Sequence, residues 1–279
     1  MRKMLMTVVG AILYTLLHAQ SVPEETHQDT LYAAINHQAY TGPGQASLTP
    51  APAGMHAFYI SHFGRHGSCA IPHDEGKRCG ELTPQGARQQ CQIAHRMYER
   101  FPEVFEANTD VDARSTTAGN CILSMEYFLT ELVRQSPLLN IHHNATQRDM
   151  IYLDEQDKQQ DGGIQPYTQR NLIHRIIDDA DQAIQQKKKK VQLRFGHGTA
   201  LLPLLYLMDI AERAIPVSAN LQLVFYRRYP GDPDVRFKVL LNEDETALPL
   251  PTDMPPYYKW SDYRAFLNQR LDAYKEVKE

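Results

Sequence analysis

The sequence predicts an α/β protein with a mostly parallel sheet flanked by helices, and three observations lead there. Short runs rich in β-branched and aromatic residues alternate along the chain with longer amphipathic stretches at helical spacing. Alternation of that kind builds parallel strands with helices laid on their faces. Three of the short runs also end in polar clusters, and sheets of this class collect ligands at the carboxyl ends of their strands. The chain has 279 residues, enough to bury a proper core. With 42% apolar and 22% charged residues, the composition is that of an ordinary soluble globular protein.

The amino-terminal stretch reads as an address. Arg2 and Lys3 form a short basic start, Met4 to Leu17 is largely apolar, and His18-Ala19-Gln20-Ser21 offers a small-residue cleavage site. Residues 1–20 are therefore expected to be a signal peptide, and the mature protein periplasmic or secreted. The apolar run is short for a bilayer span and no second one follows, so no stable membrane insertion is expected after cleavage. Residues 21–54, polar and rich in Pro, Gly and Thr, read as an irregular lead-in to a core domain over 55–279.

Ala57 to His62 reads as a buried strand that runs into the turn Phe63-Gly64-Arg65-His66-Gly67-Ser68. Thr83-Pro84 opens a helix with Thr at the N-cap and Pro in the first turn; Ala87, Cys91, Ala94 and Met97 follow at helical spacing, to about Phe101. Val111 to Thr116 is a short strand feeding a helix from about Ala118 to Arg134, whose Ile122, Met125, Phe128 and Leu132 form an apolar stripe. Leu139 to His142 and Met150 to Leu153 are weaker strand expectations, and 155–171 reads as a polar loop. Leu172 to Gln186 is an amphipathic helix ending in the basic run Lys187 to Lys190, which suits a helix carboxyl end. Val191 to His197 is a strand, with a helix expected from about Leu201. Leu221 to Arg227 and Val235 to Leu241 are strands joined by Pro230-Gly231-Asp232-Pro233, and a last helix starts near Ser261.

A net charge of −4 argues against nucleic acid as a partner while leaving room for a local basic pocket that takes a small phosphorylated ligand. The four cysteines are Cys69, Cys79, Cys91 and Cys121. In an oxidising compartment an even count suggests bridges; Cys69 with Cys79 closes a short loop, and Cys91 could meet Cys121 between two helices. The alternative is free buried thiols. Their spacing is not that of a zinc site, so no metal is expected.

The polar clusters at the strand ends are Arg65-His66, Arg114-Ser115-Thr116 and Arg194 to His197. Arginine forks grip phosphoryl oxygens in pairs, and an imidazole can attack phosphorus and later be released by water. A lone Arg-His-Gly turns up by chance; three such segments on strand ends are a stronger signal. The competing reading makes His66 and His197 hydrogen-bonded core histidines.

These segments resemble the histidine acid phosphatase branch of the histidine phosphatase superfamily. Phe63 to Pro72 is similar to its Arg-His-Gly signature, Leu82-Thr83-Pro84-Gln85-Gly86 to its Leu-Thr-x-x-Gly stretch, Ala113 to Thr116 to its second arginine segment, and Leu193 to Pro203 to the segment with the second histidine. Ala219 to Gln222, Val239 to Glu243 and Pro255 to Trp260 resemble the subgroup of the multiple inositol polyphosphate phosphatases. The resemblance implies that His66 accepts the phosphoryl group, that Arg65 and Arg114 hold its oxygens, and that His197 stabilises the transition state. It implies a phosphomonoesterase that needs no metal or other cofactor, because the arginines supply the charge, with phytate-like inositol polyphosphates or related phosphate esters as substrates.

Three departures qualify it. Cys69 stands where the family places another arginine. His197-Gly198-Thr199 lacks the family's general acid, a group worth about 10²–10⁴-fold in rate; Asp154 or Glu155, at the end of the expected strand 150–153, is the substitute the sequence offers. The helical lid that relatives insert before the helix at Leu172 is reduced to a short loop. These features keep two other readings open: a relative that binds a phosphorylated ligand without turnover, and a phosphotransferase or mutase.

Overall fold

A computed structural model describes residues 38, 40–45, 47–70, 80–153, 166–186, 188–210 and 215–276, all within the compact unit Ala34–Glu279. The expected signal segment, Cys79, Asp154 and Glu155 lie outside the described residues. In chain order come β1 (His56–Arg65), α1 (Pro84–Arg100), β2 (Asp110–Ser115), α2 (Gly119–Gln135), β3 (Asn140–Asn144), α3 (Gln147–Leu153), α4 (Arg170–Gln185), β4 (Lys190–Gly196), α5 (Gly198–Leu207), β5 (Asn220–Arg227), β6 (Arg236–Leu241), β7 (Asp244–Thr246), β8 (Tyr258–Lys259) and α6 (Trp260–Glu276).

The strands form one mixed sheet in the order β3-β2-β4-β1-β5-β6-β7, with β8 added beside β6. The half that carries the polar clusters is parallel: β3, β2, β4 and β1 run the same way. The half beyond β1 is antiparallel. Connections account for two parts of this pattern: β5, β6 and β7 follow one another without a helix and return alongside each other, whereas β1, β2 and β4 run parallel with helices in the connections between them. The β6–β7 link is the two-residue turn Asn242-Glu243, with both residues at positive φ (53° and 66°), the backbone of a twisted hairpin turn. Glu243 tolerates that conformation because its buried carboxylate is held by Arg96 at 2.6 Å and by the Tyr40 hydroxyl at 2.7 Å.

One face of the sheet is covered by α1 and α2. Ile93, Met97, Met125, Phe128 and Leu132 pack there with Ile60, Val111, Ala113, Val191, Leu193 and Phe195. Residues alternate across a strand, so Arg194 and Ser61 lie on the opposite face. There Arg194, fully buried, donates to Ser61 Oγ at 3.0 Å and pairs with Asp179 of α4. The described part of the lead-in is irregular, as expected, yet it is tied down: Gly44 and Gln45 donate to the Asp244 carboxylate and Thr49 to that of Glu245.

Several local expectations change. The segment Met150 to Leu153 is the end of helix α3, not a strand. Thr146 and Asp149 cap its start reciprocally, each side chain accepting from the other's backbone N–H. Helix α5 begins at Gly198 rather than near Leu201, with His197 in extended geometry at its N-cap. Cys91 and Cys121 do not bridge, and Cys69, Cys91 and Cys121 are free thiols. The first turn of α2 points Cys121 at the end of β4, with Sγ 3.4 Å from the Gly196 carbonyl, while Cys91 faces the Tyr127 carbonyl.

Candidate active site

Strands β1 and β4 are parallel neighbours in register, with Arg65 opposite Gly196. The residues that follow them, His66 and His197, therefore leave the sheet side by side. Their rings sit 5.4 Å apart, centroid to centroid, at 67°. Two imidazoles separated by 130 positions meet because one register joins their strands.

Backbone hydrogen bonds fix the loop that carries His66. Its N–H donates to the Gly196 carbonyl (3.0 Å) and its carbonyl accepts from Ser218 (2.9 Å), while Arg65 N–H donates to Ala219 (2.7 Å). Two buried glutamines of α1 clamp the same loop: Gln89 Oε1 accepts from the Ser68 N–H and hydroxyl, and Gln90 Nε2 donates to the Arg65 carbonyl. The signal for them was two adjacent amides on a helix whose neighbouring positions bury, and the sequence reading passed it over.

The geometry also sets the nucleophile's tautomer. His66 Nδ1 lies 2.9 Å from the Gly67 carbonyl. A carbonyl only accepts, so Nδ1 carries the hydrogen and the lone pair of the neutral ring is on Nε2.

Three helix amino termini converge here. The first turn of α1 packs so tightly that a Cβ on Gly67 would stand 2.5 Å from the Gly86 carbonyl oxygen. Thr83 caps that helix, accepting from Gly86 N–H while its own N–H and hydroxyl donate to the Ser68 carbonyl. The first turns of α2 supply Ser124, which accepts from Gly67 N–H at 3.0 Å, and Cys121, 3.7 Å from His197 Nε2. The third terminus is α5, starting directly after His197. Helix amino ends favour anions through their unpaired N–H groups and dipoles. The starts of α1 and α2 were legible in the sequence, that of α5 was expected about a turn later, and their meeting point was not legible.

Arg65 is buried at this spot, with Nη1 donating to the Ile215 carbonyl at 2.7 Å. Burial lowers its pKa from the usual arginine value, opposed by the nearby Cys69 and Cys121 thiols, and a guanidinium keeps its charge under such pressure. Arg114 sits at the end of β2, two strands from β1, opposite Arg194 in register. Its Nη2 is 2.7 Å from Asp112 Oδ1, yet that oxygen makes no aligned hydrogen bond. The contact is one of charge, and Arg114 remains partly exposed. The structure thus gathers His66, His197 and Arg65 at one point and places Arg114 on the same edge of the sheet, beside a carboxylate. Arg194, part of the third cluster, is a buried structural cation instead. Leu153, the last described residue before Asp154, places its carbonyl oxygen 3.6 Å from where a Cβ on Gly196 would stand.

Sheet order and the helices packed on the sheet define the fold: an α/β core of the histidine-phosphatase-like kind, eight strands flanked by six described helices. Solved structures agree. The multiple inositol polyphosphate phosphatase of Bifidobacterium longum, determined with inositol hexasulfate, superposes with a TM-score of 0.65 at 12% identity, over 84% of this chain and 97% of that one. The phytase from D. castellii gives 0.61 at 11% identity, over 91% and 88%. The Hafnia alvei phytase gives 0.57 at 12%, over 80% and 98%. Likeness at this identity carries the fold. No family model matches the chain, and no curated protein matches it in sequence.

Proposed function

We propose that the protein is an exported phosphomonoesterase that works through a phosphohistidine on His66, with inositol polyphosphates or related small phosphate esters as substrates. One observation carries the proposal: the Gly67 carbonyl faces Nδ1 of His66, which puts the neutral ring's lone pair on Nε2, and the second imidazole stands 5.4 Å away. Nε2 attacks phosphorus, the ester oxygen leaves with its electron pair and takes up a proton, and water then releases phosphate from the ring. Arg65, His197 and the three helix ends stabilise the charge on the transferred group's oxygens. Arg114 exchanges its contact with Asp112 for a phosphoryl oxygen. Asp154 or Glu155 serves as the acid for the leaving group; the support is that both follow Leu153, whose carbonyl packs at Gly196, next to His197.

The second reading, phosphate binding without turnover, is favoured by the start of α5, where Gly198 and Thr199 supply no carboxyl group. Phosphate release from phytate and p-nitrophenyl phosphate decides between them. The unmodified protein is expected to exceed His66→Ala by at least ~10³-fold, the scale on which removing a nucleophile acts, and Glu155→Gln or Asp154→Asn to lower turnover. Equal inertness of the unmodified protein and His66→Ala, with phosphate still bound, establishes the binding reading.

A further inference from the structure

Cys121 is a buried thiol that the proposed chemistry leaves unused, and it lies against the carboxyl end of β4. Its Sγ lies 3.4 Å from the Gly196 carbonyl, the same oxygen that accepts the His66 backbone N–H, and 3.7 Å from His197 Nε2. A thiol has one hydrogen and weak acceptor lone pairs, and a carbonyl can only accept. The hydrogen therefore goes to Gly196, and the sulfur is left to accept from His197. For that contact to be a hydrogen bond, Nε2 must carry the ring hydrogen. His66 is arranged in the opposite sense, with Nδ1–H facing the Gly67 carbonyl. Each imidazole thus takes its tautomer from a backbone carbonyl, one directly and the other relayed through sulfur.

We propose that Cys121 is a positioning residue for His197: its thiol, aligned by the Gly196 carbonyl, holds the second imidazole in place as the Nε2–H tautomer, so that Nδ1 is the nitrogen that gains the proton when the ring becomes charged. The catalytic consequence rests on the phosphatase reading; the tautomer rests on the geometry alone. A thiol valued only for its volume predicts something different. Serine and alanine are both smaller than cysteine, so a packing role makes the two replacements comparably harmful. A positioning role makes serine a substitute, because its hydroxyl can donate to Gly196 and accept from Nε2.

The test is long-range ¹H–¹⁵N spectroscopy of the histidine rings in the full chain, with His197 assigned by its loss in His197→Asn, alongside steady-state kinetics on p-nitrophenyl phosphate. In the unmodified protein and in Cys121→Ser the His197 ring is expected to show a protonated Nε2 and an unprotonated Nδ1 when neutral. In Cys121→Ala that preference is lost. Turnover is expected to drop about 10-fold in Cys121→Ala with KM changed less than about twofold, and to stay within about threefold in Cys121→Ser, the pattern of an interaction spent on kcat. Identical His197 ring signals in Cys121→Ala and the unmodified protein overturn the proposal, as does a serine variant as impaired as the alanine one. A protein that releases no phosphate yet shows the expected ring signals refutes the phosphatase reading and leaves Cys121 in its positioning role.

Discussion

At the scale of single residues, the histidines of β1 and its following turn show how environment divides one side chain into different roles. His66 has a carbonyl partner and a neighbouring imidazole. His62, four residues earlier, is fully buried between Phe128 and Phe195, with ring centroids 5.2 and 5.4 Å away, and its Nδ1 has no hydrogen-bond partner. Gly64 makes the room, since a Cβ there would stand 2.7 Å from the His62 ring. Burial first, and then the charge of Arg194, lowers the His62 pKa from 6.5 to about 3. The folded state therefore keeps His62 neutral where the unfolded chain takes up a proton. Its contribution is intact above pH 6.5 and is lost progressively as pH falls towards 3. Between pH 7 and 4.5 the unmodified protein is expected to lose about 2.5 kcal/mol more stability than His62→Leu, at roughly 1.4 kcal/mol per pH unit for one proton below pH 6.5. Urea unfolding at both pH values checks this; equal losses in the two proteins rule His62 out as the source. The sequence marked His66 and His197 by motif, but it said nothing that set His62 apart.

At the scale of elements, the site is made by ends rather than middles. The Arg65–Ser68 turn is pressed between the starts of α1 and α2, and the absence of side chains at Gly67 and Gly86 permits the approach. Gly67→Ala is expected to disturb backbone against backbone, with no flexible side chain to yield; turnover should fall at least ~10-fold and stability by about 2 kcal/mol. Thr83→Ala, which removes only a cap, should cost about 1 kcal/mol. Chemical denaturation and phosphate release of the two variants separate a general loss of stability from a displaced nucleophile. The Thr83 cap and Pro84 were legible because capping chemistry is local. Helix α3 had an equally local signal, Thr146-x-x-Asp149, but the apolar run Met150 to Leu153 is too short to distinguish strand from helix by periodicity.

At the scale of the whole molecule, the two helical layers meet the sheet through different physics. The α1/α2 face is mainly apolar, with the neutral His62 packed among its aromatic rings. The α4 face includes a buried ion pair, Arg194 with Asp179, beside Ser61. Removing one partner strands a charge away from water, so Asp179→Ala is expected to cost about 3–5 kcal/mol, while replacing both by apolar residues of similar volume should restore most of it. Urea unfolding of the single and double variants tests this; a single variant within about 1 kcal/mol of the unmodified protein refutes the expectation. The same pair accounts for an arginine that sequence reasoning grouped with the site. Arg194 lies two residues before Gly196, on the strand's opposite face from Phe195, and alternation alone could not say which helix or charge would cover it.

The amino-acid sequence by itself determined the alternation of strands and helices, the caps and turns, and which segments carry imidazole and guanidinium groups, because these depend on spacing and on interactions within a few residues. Only the tertiary structure decided that β1 and β4 are neighbours in a register that sets His66 beside His197, that Cys121 reaches the second imidazole rather than Cys91, that Arg114 rests against Asp112, and that Arg194 is structural. Those outcomes depend on strand order, helix packing and burial, and each joins residues whose separation along the chain carries no signal of their contact.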